Sequence, residues 1–239
     1  MINKSKEPEK LREFRNECKK EGGLKKEDYD RFYRNCPTGF RQLQDSLLKE
    51  QHNLCCYCMK KIGIKQEIKE NDEPKPLTVE HFVPKSEQKE GGKLALVYRN
   101  LLACCEGKDG NTKFCGNSKG NNPLTMIPNP ADIKEAPRFV QKLKYKSNGE
   151  IAIIPSALEQ YSEKEKTILL KEINEILNLN DEILTKARTA KLNTLINKYK
   201  DEVGRKAKRM NKRDFFNKLG YFSYYAFVKS QFLNDCNHG

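Results

Sequence analysis

Cysteines gathered in one central stretch constrain the fold of this chain more than any other feature. The stretch opens with Cys55-Cys56-Tyr57-Cys58, continues through Cys104-Cys105 and closes at Cys115. Cys55 and Cys58 have the spacing with which two thiolates bind one zinc ion from a tight turn. Cys115 and one member of the Cys104-Cys105 doublet would complete a closed four-thiolate site, and spacing alone does not choose between those two.

The alternative interpretation of these cysteines is a set of buried free thiols. We favour a structural zinc because the pairs bracket a polar, glycine-rich segment with little apolar mass, which metal binding would stabilise. Disulfides are a third option for nine cysteines. We do not favour them, because the N-terminal sequence has no apolar run typical of a secretory signal, and no segment approaches transmembrane length. A cytoplasmic protein is therefore expected.

The strongly basic charge balance indicates a polyanionic partner. The 239 residues carry 46 Lys and Arg against 33 Asp and Glu, a net charge of +13. Basic residues are dense at 186–213, where a duplex backbone would be the natural counterpart. The competing interpretation is a solvated helix face, or a docking surface for an acidic protein. The basic residues of this segment are Lys186, Arg188, Lys191, Lys198, Lys200, Arg205, Lys206, Lys208, Arg209, Lys212 and Arg213.

A carboxylate and a histidine lie side by side between the cysteine pairs. Glu80 and His81 fall in a segment, 77–83, that alternates like a strand and ends at Pro84. A histidine can accept a proton from water near neutral pH, and a carboxylate is a hard ligand suited to Mg²⁺ or Mn²⁺. Both could serve one site only if the strand bends or ends there, since neighbours on a regular strand face opposite sides.

The order of these motifs resembles the zinc-bound HNH endonucleases, and more closely the PtuB type of Septu and retron-associated anti-phage systems. The similarity covers residues 38 to about 125, with a less specific likeness in the N-terminal arm and at Leu177-Asn178-Leu179-Asn180. The segments that carry it are Cys55-x-x-Cys58, Glu80-His81-Phe82-x-Pro84-Lys85, Asn100-Leu101-Leu102, Cys105, and Cys115-x-Asn117-x-Lys119-Gly120-Asn121.

The resemblance implies a role for each matching residue. His81 would be the general base, Glu80 the carboxylate that holds the catalytic divalent ion, and Asn100 the asparagine that braces the loop and orients the histidine. The family spacing selects Cys105 over Cys104, so the implied zinc ligands are Cys55, Cys58, Cys105 and Cys115.

The sequence departs from the family pattern after the last zinc cysteine. Many family members carry His or Asn at that position, where this chain has Gly116. Asn117 is therefore the candidate second ligand of the catalytic ion, and Asp109 and Asn111 are alternatives in the preceding loop.

The expected fold class is α+β and mainly helical, with a ββα-metal (HNH) core stapled by the four-cysteine zinc site. We divide the chain into an N-terminal arm (1–37), the nuclease core with its zinc site (38–125) and a mainly helical C-terminal region (126–239). The core would comprise a helix at 38–51 capped by Thr38, a strand at 77–83, a returning strand at Leu94–Val97 and a helix starting near Asn117.

Further elements are expected around and beyond this core. Residues 1–37 would be a loosely packed arm anchored by Leu11, Phe14, Phe32 and Tyr33. A hairpin is predicted over 139–154, and helices follow Ser162, with Asn180 capping the last of them. The aromatic residues of 215–232 would contribute to the core.

The function that these expectations favour is metal-dependent hydrolysis of nucleic-acid phosphodiester bonds, with DNA favoured over RNA as the substrate class. Zn²⁺ would be structural, and Mg²⁺ or Mn²⁺ catalytic. The resemblance also implies a PtuA-type ATPase as protein partner in an anti-phage complex, and no membrane association is expected. The rival hypothesis is a non-catalytic zinc module that binds nucleic acid or scaffolds a partner. A zinc hydrolase of another substrate is disfavoured, because four thiolates leave no open position on the metal.

Overall fold

The computed structural model describes residues 2–65 and 75–206, with the backbone alone for 203–206. It is a mixed α+β protein, about half helical, with three small sheets in the described part of the chain. Within those residues, no helix combines the length and the apolar character that crossing a membrane requires.

Three helices form the N-terminal part: α1 (Glu9–Lys20), α2 (Asp28–Asn35) and α3 (Pro37–Glu50). Each helix contributes a fully buried residue to the same hydrophobic core: Leu11, Phe32 and Leu43. The described residues 2–37 are therefore packed more closely than the loose arm expected for 1–37. Tyr33, predicted as an anchor, is 57% exposed. The helix predicted at 38–51 is present, but Pro37 occupies its first turn and Thr38 does not cap it.

A three-stranded sheet lies at the centre of the chain, in the order β1-β2-β3. Strand β1 (Ile62–Gly63) pairs in parallel with β2 (Lys75–His81), which pairs antiparallel with β3 (Leu101–Cys105). In this register Leu77 lies opposite Cys105 and His81 opposite Leu101.

The strand that pairs with β2 is Leu101–Cys105, whereas the returning strand was predicted at Leu94–Val97. That region begins with a short helix, α4 (Gly91–Leu94), and a 3₁₀ turn at Tyr98–Asn100 precedes β3. Every residue of β3 is buried, so its sequence shows none of the alternation by which half-buried strands are found.

The remaining short elements follow in chain order. A hairpin of β4 (Lys108–Asp109) and β5 (Thr112–Lys113) leads into α5 (Cys115–Lys119), close to the helix expected near Asn117. After α6 (Glu135–Val140), strands β6 (Leu143–Tyr145) and β7 (Ile151–Ile153) form the hairpin predicted over 139–154.

The C-terminal described part is helical, as predicted: α7 (Pro155–Leu158), α8 (Glu163–Lys171), a π-helical turn (Glu172–Ile176) and α9 (Glu182–Lys206). Asn180 does not cap α9. Its amide instead exchanges two hydrogen bonds with the backbone of Ile151, and Asp181 accepts from the N–H of Ile183. The aromatic segment 215–232 lies outside the described residues.

Candidate metal centre and active site

Four buried cysteines meet where three elements converge. Cys55 and Cys58 lie in the turn after α3, Cys105 ends β3 and Cys115 begins α5. All four sulfurs lie within 4.8 Å of one another. The turn is closed by the N–H of Cys55, which donates to the carbonyl of Lys60 at 2.9 Å, so both of its cysteines face the same point.

The spacing of the sulfurs fits a tetrahedral metal site. The Sγ atoms of Cys58 and Cys105 are 3.8 Å apart. A zinc–sulfur bond of about 2.3 Å gives a tetrahedral edge of about 3.8 Å, which matches this pair, and the other sulfurs are close enough for one Zn²⁺ to bind among the four thiolates. Cys105 joins this group and Cys104 does not, in agreement with the ligand set that the resemblance implied. Since all four positions are thiolates, the ion would be structural.

Glu80 points from β2 toward α5 and is paired there. Its Oε1 accepts from the ammonium of Lys119 at 2.8 Å and from the hydroxyl of Tyr57 at 3.3 Å. The Lys119 side chain is 1% exposed and that of Glu80 12%. Burial raises the pKa of Glu80, and the nearby ammonium opposes that rise.

Close contacts around residue 116 explain why it is a glycine. A Cβ added to Gly116 would lie 2.7 Å from the Oε2 atom of Glu80 and 3.3 Å from the sulfur of Cys104. The first of these distances is too short for a Cβ contact, so the Glu80 carboxylate would have to move. A His or Asn at this position is therefore incompatible with the observed conformation of Glu80.

His81 lies on the other side of β2, as alternation along a strand requires. Its Nε2 atom is 3.0 Å from the carbonyl oxygen of Ala95, and its ring packs edge-on against Tyr29 with centroids 4.5 Å apart. Burial lowers the pKa of His81 to about 4. The imidazole is consequently neutral at physiological pH, the form that a general base requires, although its basicity is reduced.

Asn100 braces the segment that joins β2 to β3. Its amide oxygen accepts from the N–H of Val83 at 2.8 Å, and its amide nitrogen donates to the carbonyls of Val83 at 3.0 Å and Leu94 at 3.2 Å. These bonds tie the chain just after His81 to the segment that carries Ala95. Asn100 therefore braces this loop, and its role in orienting the histidine stays a prediction.

The candidate ligands of a catalytic divalent ion do not converge. The amide of Asn117 is directed at the carbonyl of Glu106, to which it donates at 3.2 Å, and Glu80 is engaged by Lys119. Asp109 and Asn111 lie on the exposed hairpin of β4 and β5. Among residues 2–65 and 75–206, the clusters able to hold a metal consist of cysteines alone. In this arrangement the oxygen donors do not fit a Mg²⁺ or Mn²⁺ ion.

Two residues at the centre of this site were not given a role from the sequence. Lys119 donates to both Glu80 and the carbonyl of His81, at 3.0 Å, and Tyr57 lies between the first cysteine pair. Lys119 belongs to the Cys115-x-Asn117-x-Lys119 motif, and its place in that motif was the sequence signal that it could contribute to the site. Its burial was not foreseeable, since an isolated lysine in a polar segment is almost always exposed.

The basic segment starting at residue 186 is not a uniform surface stripe. Arg188 is 1% exposed and donates to the carbonyls of Gly149 and Leu179 at 2.9 and 2.8 Å. Lys186 pairs with Glu182 at 2.6 Å. Arg188 therefore holds the β6–β7 hairpin to α9 and is inaccessible to phosphate, and the basic residues at 208–213 lie outside the described part of the chain.

Comparison with known proteins gave no relative: no protein-family model matches the chain, and no curated protein is significantly similar to it.

Proposed function

We propose that this protein is an endonuclease of the HNH type, which hydrolyses nucleic-acid phosphodiester bonds and acts as the effector of an anti-phage complex. The observation that supports this most is one arrangement: an antiparallel strand pair and a following short helix around four clustered thiols. The strand pair ends at Glu80 and His81, and Asn100 braces the loop beyond them.

Each residue of this arrangement would have a separate role in hydrolysis. His81, neutral because it is buried, would accept the proton of the attacking water, and its contact with the Ala95 carbonyl would fix the ring's orientation. Asn100 would hold the loop that carries that carbonyl. The buried ammonium of Lys119 pairs with Glu80 and donates to the carbonyl of His81, so it would hold these two residues in position without contacting phosphate itself.

A divalent ion is expected for such chemistry because it neutralises the scissile phosphate. Glu80 and Asn117 are the residues that the sequence suggested for holding it, but Glu80 is paired with Lys119, the amide nitrogen of Asn117 donates to the carbonyl of Glu106, and their oxygens do not converge. We therefore assign no step to a metal ion.

The test is a cleavage assay on supercoiled plasmid DNA and on tRNA, with Mg²⁺, with Mn²⁺ and with EDTA. The variant His81→Ala should lose cleavage by about 10²–10⁴-fold, the usual contribution of a general base. His52→Asn, at an exposed histidine that adopts the left-handed backbone conformation, is the matched control and should cleave as the wild type does. Equal cleavage by wild type and His81→Ala, with zinc content and circular dichroism unchanged, would refute the proposal.

The second candidate is a non-catalytic zinc module that binds nucleic acid or a partner protein. The pairing of Glu80 with Lys119 favours it, because that ion pair occupies the carboxylate which a catalytic cation would need. This candidate predicts nucleic-acid binding by gel shift without cleavage under any metal condition, and no effect of His81→Ala on that binding beyond its effect on stability.

The partner proposed with the nuclease function is a PtuA-type ATPase. Co-expression with the product of the neighbouring gene, followed by affinity purification of either chain, tests it. Co-elution in a fixed ratio would support the complex. Separate elution of the two folded proteins at micromolar concentration would exclude a stable one.

A further inference from the structure

Two cysteines beside the zinc centre have no part in it. The closed site uses Cys55, Cys58, Cys105 and Cys115, which leaves Cys56 and Cys104. Both lie against the same sulfur: Cys55, Cys56 and Cys104 have Sγ atoms within 4.8 Å of one another, and the pair Cys55–Cys104 is 3.7 Å apart. Cys55 thus belongs to two sulfur clusters at once.

The backbone holds this second cluster in place. The N–H of Cys56 donates to the carbonyl of Ala103 at 3.0 Å, which joins the turn to β3 directly beside Cys104. Cys104 is fully buried within the β2–β3 ladder, opposite Thr78. The three sulfurs therefore lie on two anchored segments, and two of them belong to consecutive residues.

The cluster contains sulfur only. Among residues 2–65 and 75–206, no histidine, aspartate or glutamate joins Cys55, Cys56 and Cys104 within ligand distance. Three thiolates without a fourth donor suit Cu(I), a soft ion that accepts trigonal sulfur coordination. They suit Zn²⁺ poorly, because structural zinc is almost always four-coordinate. A trigonal site with metal–sulfur bonds of about 2.3 Å has sulfur–sulfur edges of about 4 Å, near the spacing observed.

A metal ion could reach the cluster of Cys55, Cys56 and Cys104 through a cavity beside Cys56. Cys56 is half-buried and borders a cavity of about 250 Å³ whose walls are largely apolar. Tyr57, Pro130 and Tyr145 are among the lining residues. The zinc cluster is buried throughout, so an incoming ion would meet Cys56 before it met Cys58 or Cys115.

We propose that Cys55, Cys56 and Cys104 form a second metal site that binds one Cu(I) ion beside the zinc, with the sulfur of Cys55 shared between the two metals. The Cys56 and Cys104 thiols each release a proton as their sulfurs bind the ion, and no electron is transferred. The site requires the zinc centre but does not depend on nuclease activity, because no residue of it belongs to the proposed hydrolytic group.

The test is an anaerobic titration of the zinc-loaded full chain with Cu(I), buffered by bathocuproine disulfonate so that isolated thiols do not compete. Released zinc is followed with a chromogenic chelator. In the wild type the first equivalent of Cu(I) should bind without releasing zinc, and zinc should appear only with further copper. In Cys104→Ser and in Cys56→Ser the first equivalent should instead expel zinc or remain with the chelator.

The control Cys36→Ser, at a cysteine between α2 and α3 that belongs to neither cluster, should titrate like the wild type. Zinc content and circular dichroism before titration show that each variant is folded. If Cys104→Ser fails this check, Cys56→Ser decides the question, since its side chain is half-buried. Zinc release by the first equivalent in the wild type, or identical titrations of wild type and folded variants, would overturn the proposal. Uptake of a second zinc ion in place of Cu(I) would overturn the copper assignment.

Discussion

Replacing Lys119 with methionine tests whether the ion pair at the centre of the site is formed and desolvated. The substitution keeps an unbranched apolar stem and removes the ammonium, so it leaves the carboxylate of Glu80 buried without its partner. The hydrogen bond from Lys119 to the carbonyl of His81 is lost as well.

The expected loss in unfolding free energy is set by the lowest-energy protonation state that Glu80 can adopt without Lys119. A buried carboxylate that has lost its counter-charge can take up a proton instead. At pH 7 this costs about 1.4 kcal/mol for each pH unit above its ordinary pKa, or about 4 kcal/mol in total. The lost hydrogen bond adds about 1 kcal/mol. We therefore expect Lys119→Met to lower the free energy of unfolding by about 3–5 kcal/mol, as is typical when one partner of a buried pair is removed.

The effect should depend on pH in a defined direction. Without the ammonium, burial alone acts on Glu80, so its pKa in the folded state rises further above the unfolded value. A carboxyl with a raised folded pKa is most favourable to folding below its unfolded pKa, and that stability is lost as pH rises. The difference between Lys119→Met and wild type should therefore be largest near pH 7 and should shrink toward pH 4.5.

The assay is urea unfolding followed by circular dichroism, with Lys93→Met as the matched control. Lys93 is an exposed lysine paired with Glu90, and its loss should change the unfolding free energy by less than about 0.5 kcal/mol. The double variant Glu80→Gln/Lys119→Met should be more stable than Lys119→Met, because no buried charge remains. A loss below about 1 kcal/mol for Lys119→Met would refute a desolvated pair.

Two further substitutions test the packing around the site. Gly116→Ala should destabilise the fold by about 1–3 kcal/mol, because its Cβ would overlap the Glu80 carboxylate. The control is Gly92→Ala, whose Cβ would meet its nearest neighbour at 3.4 Å. Equal unfolding midpoints for the two variants would contradict the clash. Asn100→Ala should cost about 2–4 kcal/mol, because it leaves backbone groups of Val83 and Leu94 without their partner. Asn122→Ala, which removes one hydrogen bond from an exposed residue to the carbonyl of Lys119, should cost far less in the same unfolding measurement.

The metal centre was the part of the molecule most open to prediction, because ligand chemistry fixes spacing. The Cys55-x-x-Cys58 pair indicated a shared metal from the sequence alone. The choice of Cys105 over Cys104 needed either the resemblance or the coordinates. Strand β2 and the hairpin of β6 and β7 were also found, since alternation and an Asn-Gly turn report local geometry directly.

The parts that sequence reasoning missed depend on tertiary burial. Strand β3 was misplaced because a fully buried strand shows no alternation. Lys119 was given no role and Arg188 was counted with the basic segment expected to face a duplex backbone, whereas both are buried and satisfied by partners distant in sequence. Asn180 was expected to cap α9, but the hairpin competes for its amide. No local pattern distinguishes these side chains from exposed ones.

The claim on which the whole account depends is that four cysteines hold one zinc ion and that the fold needs it. Elemental analysis of the purified chain measures this directly. We expect about one zinc per chain in wild type and in Cys36→Ser. In Cys58→Ser we expect little zinc together with a lower unfolding temperature, since structural zinc binding is coupled to folding. A wild-type chain that is folded without zinc, or a Cys58→Ser chain with the full zinc content and wild-type stability, would contradict it.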